Sequence, residues 1–182
     1  MSQKRLYTAL AVSTGAFMLL AGCDDGGYSP VSRAGNFKAD YFKARNALES
    51  GSYSKALRRY GELIQRAGPA TGRVRLEYAH ALLRANRFGD ASLAARQSAA
   101  EQTGMAKASA LSVQATADHE IARAAMTKGR YDREVYNRLV AAETAFDQAF
   151  KLHPELKTNR GLAPRRQEIA NARATVQSAL GI

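Results

Sequence analysis

The feature that most constrains the fold is a short pattern that occurs three times along the chain. A glycine or asparagine is followed two positions later by an aromatic residue, and in two copies an alanine follows three positions after that. The copies are Gly51, Tyr53 and Ala56; Asn86, Phe88 and Ala91; and Gly129 with Tyr131. The first two copies are 35 residues apart. Glycine and asparagine tolerate the left-handed conformation that ends a helix, so each copy predicts a turn between two helices.

The composition around these turns favours helices. Alanine is abundant, Arg, Gln, Glu and Leu are frequent, and no segment alternates apolar and polar residues over a useful length. Pro69, Pro154 and Pro164 each fall at a predicted helix boundary. We therefore expect an all-α fold. A generic alanine-rich helical bundle, whose aromatic residues are simply core, is the alternative to a repeat architecture.

The repeated pattern resembles the tetratricopeptide repeat (TPR), a helical hairpin of about 34 residues. A small residue of the first helix stands seven positions before each turn residue, at Ala44, Ala79 and Ala122. The resemblance implies a TPR-like α-hairpin solenoid of about three hairpins plus a C-terminal capping helix. The units are predicted over about 37–70, 72–104 and 105–154, and the capping helix over about 163–180.

The chain also departs from the TPR pattern. It contains no tryptophan, and the second unit has Ala95 and Ser98 at positions that are often aromatic and alanine. In the third unit Tyr131 is followed by Ala142 only after eleven residues, against three in the first unit. Those eight extra residues correspond to roughly two helical turns. We therefore expect longer helices over about 105–128 and 132–152.

The N-terminus resembles a bacterial lipoprotein signal. Lys4 and Arg5 precede an uncharged, largely apolar run, which ends in the lipobox-like sequence Leu20-Ala21-Gly22-Cys23. The resemblance implies cleavage before Cys23 and attachment of lipid, including an acyl chain such as palmitate, to that cysteine. A transmembrane anchor with a chance cysteine is the alternative, although the apolar run is shorter than the roughly 20 residues of a spanning helix. The predicted organisation is a signal peptide over 1–22, a lipidated flexible tether over 23–35 and a helical repeat domain over 36–182.

Two further expectations follow from this N-terminus. Asp24 resembles the signal that retains enterobacterial lipoproteins at the inner membrane, with the outer membrane as the alternative. Cys23 is the single cysteine, so lipidation leaves no thiol for a disulfide within the chain. We expect a lipid-anchored protein of the cell envelope that faces the periplasm, with no cofactor or metal besides the covalent lipid.

The charge bears on partners. Residues 1–22 hold two of the 27 Lys and Arg and none of the 16 acidic residues, which leaves a formal charge of +9. A basic chain often binds nucleic acid, but an exported one does not meet it. Anionic lipid head groups, envelope polymers and acidic proteins are the expected partners. Arginines that only solubilise helix surfaces are the alternative.

The TPR resemblance implies that the first helix of each unit lines a peptide-binding groove. Arg45, His80 and Arg123 form a predicted column of hydrogen-bond donors, with Leu48, Leu83 and Met126 as an apolar strip beside it. The candidate groove residues are Lys38, Tyr41, Arg45, Arg73, His80, Arg84, His119 and Arg123. This combination favours an acidic or C-terminal peptide with apolar side chains, although these arginines could also be a solvated face.

Enzymatic motifs are lacking in the sequence. His119-Glu120 has no second histidine to complete a zinc helix, and there is no glycine-rich phosphate loop or nucleophile elbow. We therefore expect a non-enzymatic adaptor that binds a protein or peptide in envelope, secretion or pilus assembly. A basic binder of membrane surfaces or anionic polymers, and a structural subunit of an envelope complex, are the alternatives. The partner, the pathway and the oligomeric state stay open.

Overall fold

The computed structural model describes residues 30–158 and 160–182, with side chains from residue 36 onward. Within these residues the chain has seven α-helices and no strand, so the predicted all-α fold is confirmed. No described helix combines the length and the apolar character of a transmembrane span. The helices are α1 (Pro30–Glu49), α2 (Tyr53–Ile64), α3 (Thr71–Arg84), α4 (Phe88–Ala100), α5 (Gly104–Thr127), α6 (Arg133–Leu152) and α7 (Leu162–Leu180).

The start of α1 differs from the expected tether. The signal peptide, Cys23 and Asp24 lie outside the described residues, but residues 30–35 were expected to be flexible and are helical. Pro30 explains the early start, because proline has a preset φ and needs no hydrogen-bond donor at the first helical position. The helical part of the chain therefore begins six residues before the predicted boundary at residue 36.

All three predicted turns have the expected left-handed residue. The φ angles are 74° at Gly51, 58° at Asn86 and 76° at Gly129. At each turn this residue donates its N–H to the carbonyl three residues earlier, and the next residue donates to the carbonyl five residues earlier. That pair of bonds is the Schellman motif, which satisfies carbonyls at the end of the helix. The three turns thus join α1 to α2, α3 to α4 and α5 to α6 by the same chemistry.

Helices that are neighbours in sequence pack on each other from α1 to α7. In addition α3 contacts α5, and α5 contacts α7. The first and third helices are linked as well, since the Tyr41 hydroxyl donates to the Glu77 carboxylate at 3.2 Å. The odd-numbered helices therefore form one common surface, which we call the odd-helix face.

The positions that the repeat pattern makes equivalent are fully buried. Tyr60 and Phe146 occupy the large position of the second helix, and the smaller Ala95 occupies it in the second unit without exposure. Ser98, which departs from the pattern, is buried too. The small positions with no exposed surface are Ala44, Ala56, Ala79, Ala91, Ala122 and Ala142. The repeated pattern therefore predicts which alanines let neighbouring helices approach closely.

The third hairpin contains one correction. Helices α5 and α6 have the extra length predicted from the sequence, but Tyr131 does not fill the space between them and is 39% exposed. Asp132 caps α6 by accepting the N–H of Val135 at 3.0 Å, so α6 begins only after the tyrosine. Tyr131 consequently stays outside the helix and turns towards solvent.

The last helix packs on the third hairpin through two apolar residues. Ile169 and Val176 are fully buried, and both belong to a cluster with α5 and α6. Its arginines, however, are not simply solvated. Arg166 donates to Asp147 through Nε and Nη2, each at 3.0 Å, and Arg173 donates to Glu143 at 2.6 Å. Ion pairs as well as apolar contacts therefore hold α7 on the third hairpin.

Candidate functional site

Three open pockets lie along the odd-helix face. The first is formed by α1 and α3, the second by α3, α5 and the segment before α7, and the third by α5 and α7. Their volumes are about 300, 370 and 440 Å³, respectively. We call them the α1–α3 pocket, the central pocket and the α5–α7 pocket. His80 lines both the first and the second, so these two are continuous.

The α1–α3 pocket brings together three of the predicted groove residues. Its lining is Arg45, Leu48, Glu49, Glu77, His80 and Arg84. Arg45 is not a free donor, because its Nε bonds Glu49 at 2.9 Å and its Nη1 lies 3.6 Å from Glu77. Arg84 instead stacks over the ring of Tyr53, at 5.8 Å from the ring centroid. The lining of this pocket therefore contains two arginines and two glutamates and is not uniformly basic.

The central pocket differs from the other two because no described Arg, Lys, Asp or Glu side chain lines it. Its hydroxyl groups are largely used within the protein, since Ser112 donates to the Ala108 carbonyl at 2.9 Å and Thr116 donates to the Ser112 carbonyl at 2.8 Å. The lining residues are His80 and Leu83 from α3; Ser109, Ser112, Val113 and Thr116 from α5; Leu156 from the segment before α7; and Leu162, the first residue of α7. This pocket suits an apolar side chain better than a polar one.

The α5–α7 pocket contains a buried histidine beside an ionic cluster. His119 is only 4% exposed, and its Nδ1 lies 3.4 Å from Arg165. Burial, followed by the charge of Arg165, lowers the pKa of His119. Burial alone would raise the pKa of Glu120, but hydrogen bonds from Arg123 and Arg165 lower it overall. The remaining lining residues are Met126, Thr127, Tyr131, Glu168 and Ala172.

Three predicted groove residues lie outside these pockets. Tyr41 is half-buried, and its ring packs edge-on against Tyr60 with centroids 6.2 Å apart. Lys38 lies over the ring of Phe42, at 6.0 Å from the centroid. Arg73 is exposed on α3 but lines none of the three pockets. These three residues therefore do not join the other predicted groove residues in lining the pockets of the odd-helix face.

Sequence reasoning also missed the carboxylates of this face. Glu49 stands four residues after Arg45, and Glu120 stands three residues before Arg123, which are the spacings of ion pairs on one helix. These two partners could have been read from the sequence. The pairing of Glu77 with Arg45 joins different helices, so no local spacing reveals it. The same holds for Leu156, which reaches the central pocket from outside the hairpins.

Among residues 36–158 and 160–182 no three His, Asp or Glu side chains are grouped as a metal site would require. Comparison of the chain with protein-family models, with curated proteins and with solved structures found no match. What the face offers chemically is a row of three pockets, one lined mainly by charged residues and two with apolar walls, and Arg45 and Arg123 are paired with glutamates.

Proposed function

We propose that this chain is a lipid-anchored adaptor of the bacterial envelope, built from TPR-like hairpins, whose odd-helix face binds a segment of a partner protein. The observation that carries the proposal is the series of three open pockets along that face, of about 300, 370 and 440 Å³. Pockets of this size accept individual side chains, and a series of them suits an extended or helical segment. A lipid anchor would confine the protein near its partner and raise the effective concentration of both.

Repeated hairpin chemistry supports the TPR part of the proposal. The three turns share one hydrogen-bond pattern at Gly51, Asn86 and Gly129, and equivalent alanines are buried in all three units. A hairpin of this kind cannot bury its apolar face alone, so stacking leaves one face of the first helices open. That open face corresponds to the odd-helix face.

The partner-binding proposal is best tested by photocrosslinking in living cells. A photoreactive amino acid at Ser109, in the central pocket, is expected to crosslink to a defined partner. The same amino acid at Gln97, which is exposed on α4 and lines none of the three pockets, is the matched control. A discrete adduct from Ser109 only, identified by mass spectrometry, supports the adaptor function. Equal adducts from both positions, or none from either, would contradict it.

The lipid anchor has its own test. Cys23→Ser removes the thiol that the lipobox-like motif presents for lipidation. We expect the variant to lose labelling by a radioactive fatty acid and to leave the membrane fraction. Ser2→Ala, a change of similar size in the same N-terminal region, is the control. Unchanged labelling of the Cys23→Ser protein would remove the anchor from the proposal.

A second candidate is binding to anionic lipid or envelope polymer through basic helix surfaces. It is favoured by exposed cations on α2, where Lys55 and Arg58 form no ion pair with a described residue. Such binding would weaken steeply with salt and would not respond to changes in the pockets. Flotation of the Cys23→Ser protein with phosphatidylglycerol vesicles at low and high salt separates the two candidates.

A further inference from the structure

The central pocket differs from its neighbours in the charges that border it. In the α1–α3 pocket, Arg45 is held by Glu49 and Glu77, and in the α5–α7 pocket Arg123 is held by Glu120. At the central pocket the apolar lining residues Leu83, Leu156 and Leu162 are instead followed or preceded by cations. The cations are Arg84, Lys157 and Arg160.

These three cations have no carboxylate partner among the described residues. Arg84 contacts an aromatic ring, and the exposed Lys157 and Arg160 form no ion pair in residues 36–158 and 160–182. The nearby acids in the sequence are already engaged: Glu155 bonds His153 at 3.1 Å, Asp90 accepts from Arg87 at 2.8 Å, and Glu77 accepts from Tyr41. Beside the leucines that line the central pocket, the chain therefore carries three cations that form no ion pair with a described residue, and Arg84 also lines the adjoining α1–α3 pocket.

The floor of the pocket sets a complementary requirement. Leu83, Val113 and Leu162 give it apolar walls, and the hydroxyls of Ser112 and Thr116 bond backbone carbonyls of their own helix. Away from His80 and Ser109, a buried polar group of an occupant would find few partners, which is unfavourable in an apolar site. An apolar side chain loses nothing of this kind, and about 370 Å³ is enough for a large one.

We propose that the central pocket binds a large apolar side chain, such as Leu, Met or Phe, from a partner segment in which Asp or Glu residues flank it. The apolar side chain enters between Leu83, Val113 and Leu162, and the flanking carboxylates meet Arg84, Lys157 and Arg160. This inference rests on the proposed adaptor function and specifies the chemistry of its ligand. Arg84, Lys157 and Arg160 are then the residues that determine specificity, rather than the paired Arg45 and Arg123.

The test is selection from a phage-displayed library of random peptides on the full chain in neutral detergent. We expect selected peptides to be enriched in Asp and Glu within about four residues of a Leu, Met or Phe, which is the reach of one helical turn. A synthetic peptide of the enriched sequence is then measured by fluorescence anisotropy. Selected peptides without acidic enrichment, or no selected peptides, would overturn the inference.

Two pairs of variants localise the binding. Ser109→Phe fills the central pocket, and Gln97→Phe adds the same ring to α4 outside it. Arg84→Glu reverses a charge at the pocket, and Arg58→Glu reverses an exposed charge on α2. We expect Ser109→Phe and Arg84→Glu to weaken the peptide at least about tenfold, as central interface residues do, while both controls stay within about twofold of the wild type. Equal effects within either pair would overturn the inference.

Other outcomes separate this inference from the adaptor function itself. If Ser109 crosslinks a partner in cells but the peptides show no acidic preference, the adaptor proposal stands and the ligand chemistry is wrong. If the variants bind peptide normally but Ser109→Phe abolishes flotation with phosphatidylglycerol vesicles, the pocket binds lipid and the inference is wrong. Circular dichroism of each variant checks that the helices are intact.

Discussion

At the scale of single residues, the turn residues follow most directly from the sequence. Gly51, Asn86 and Gly129 were identified from spacing alone, and all three have positive φ. Asn86 is the one non-glycine residue with positive φ in the described part of the chain. Asparagine tolerates this conformation better than most residues but less well than glycine. The second turn is therefore the least relaxed of the three.

Because of this difference, we expect substitutions at Asn86 and Gly51 to change the free energy of unfolding in opposite directions. Asn86→Gly should raise the free energy of unfolding by about 0.5 kcal/mol, whereas Gly51→Ala should lower it by about 1 kcal/mol. A Cβ at Gly51 meets no atom within 4 Å, so the loss there reflects backbone strain alone. Urea unfolding followed by circular dichroism measures both changes. A less stable Asn86→Gly protein would contradict the interpretation of this turn.

Tyr60 gives a second residue-scale prediction. It is fully buried, and its hydroxyl has no hydrogen-bond partner among the residues that the structure describes. Burial raises the pKa of this phenol and adds the desolvation of an unsatisfied group to the free energy of folding. Tyr60→Phe keeps the ring and its edge-on contact with Tyr41, so we expect stability to rise by about 1 kcal/mol. Thermal unfolding measures the change, and a loss of stability would indicate that the hydroxyl is in fact satisfied.

His119 predicts a dependence of stability on pH. Because burial and Arg165 lower the pKa of His119 in the folded protein, the unfolded chain takes up the proton at a higher pH. Stability from this group is therefore complete above about pH 6.5, the ordinary pKa of histidine, and falls as the pH drops below it. The charged groups that act on the imidazole are Arg165, Glu120, Glu168 and Arg123.

The measurement compares wild type and His119→Gln by urea unfolding at pH 7.5 and pH 5.5. Glutamine keeps hydrogen-bonding groups but does not titrate, so the variant should lose less stability between the two pH values than the wild type. Acidic residues with a lowered pKa, such as Glu120, change the stability only below the ordinary pKa range of carboxylates. They therefore do not affect the difference in stability between pH 7.5 and pH 5.5. Equal slopes for both proteins would mean that His119 titrates normally.

At the scale of helices, the contact between α3 and α4 explains a departure from the repeat pattern. Ser98 replaces the expected alanine, and its hydroxyl donates to the Gly72 carbonyl at 2.8 Å while accepting from the Gln102 amide at 2.6 Å. The helices are so close here that a Cβ on Gly72 would lie 3.0 Å from Cγ of Gln102 and 3.0 Å from Cβ of Glu101. A small residue is therefore required on both helices.

Replacing glycine by alanine should change stability in opposite directions at Gly72 and Gly61. Gly72→Ala would force Glu101 and Gln102, which follow α4, to shift, and we expect it to lower stability by about 1 to 3 kcal/mol, as overpacking does. Gly61→Ala lies within α2, where a Cβ meets nothing within 4 Å, and should raise stability by up to about 1 kcal/mol. The two melting temperatures relative to wild type test this directly. A neutral Gly72→Ala would show that the contact is easily relaxed.

The limits of sequence reasoning are clear at this scale. Helix ends, turns and buried alanines follow local patterns, and those predictions agree with α2 to α7. Ion pairs between helices, such as Arg165 with Glu120 and Arg45 with Glu77, depend on how the helices are placed, and no local spacing encodes them. The predicted column of donors was affected in the same way, because Arg45 pairs with Glu77 of another helix as well as with Glu49 of its own.

At the scale of the whole described chain, two hydrophobic clusters meet along α5. Val113 and Ala117 belong to a cluster with α1 to α4, whereas Ala115 and Ala122 belong to a cluster with α6 and α7. A polar network lies at this junction. Asp118, which is 1% exposed, accepts hydrogen bonds from Ser92 of α4 at 2.8 Å and from Arg138 of α6 at 3.0 Å.

The network predicts that alanine substitutions at Arg138 and Asp118 lower stability by unequal amounts. Arg138→Ala leaves a buried carboxylate without its charged partner, and we expect a loss of about 3 kcal/mol. Asp118→Ala removes the buried charge itself, and Arg138, which is 30% exposed, can turn to water, so the loss should be smaller. The double variant should therefore be more stable than Arg138→Ala alone. Because the chain has no tryptophan, circular dichroism in urea is the suitable measurement.

The same variants test whether the two clusters unfold together. Arg138 belongs to α6 and bonds Asp118 of α5. Its loss should therefore weaken the second cluster, which contains α6 and α7, before the first. Hydrogen exchange read by mass spectrometry should then show faster exchange in α6 and α7, with α1 and α2 close to wild type. Uniformly faster exchange in every helix would mean that the network joins the two clusters into one cooperative unit. In that case a ligand at the central pocket, which spans α3 and α5, would stabilise all seven helices equally.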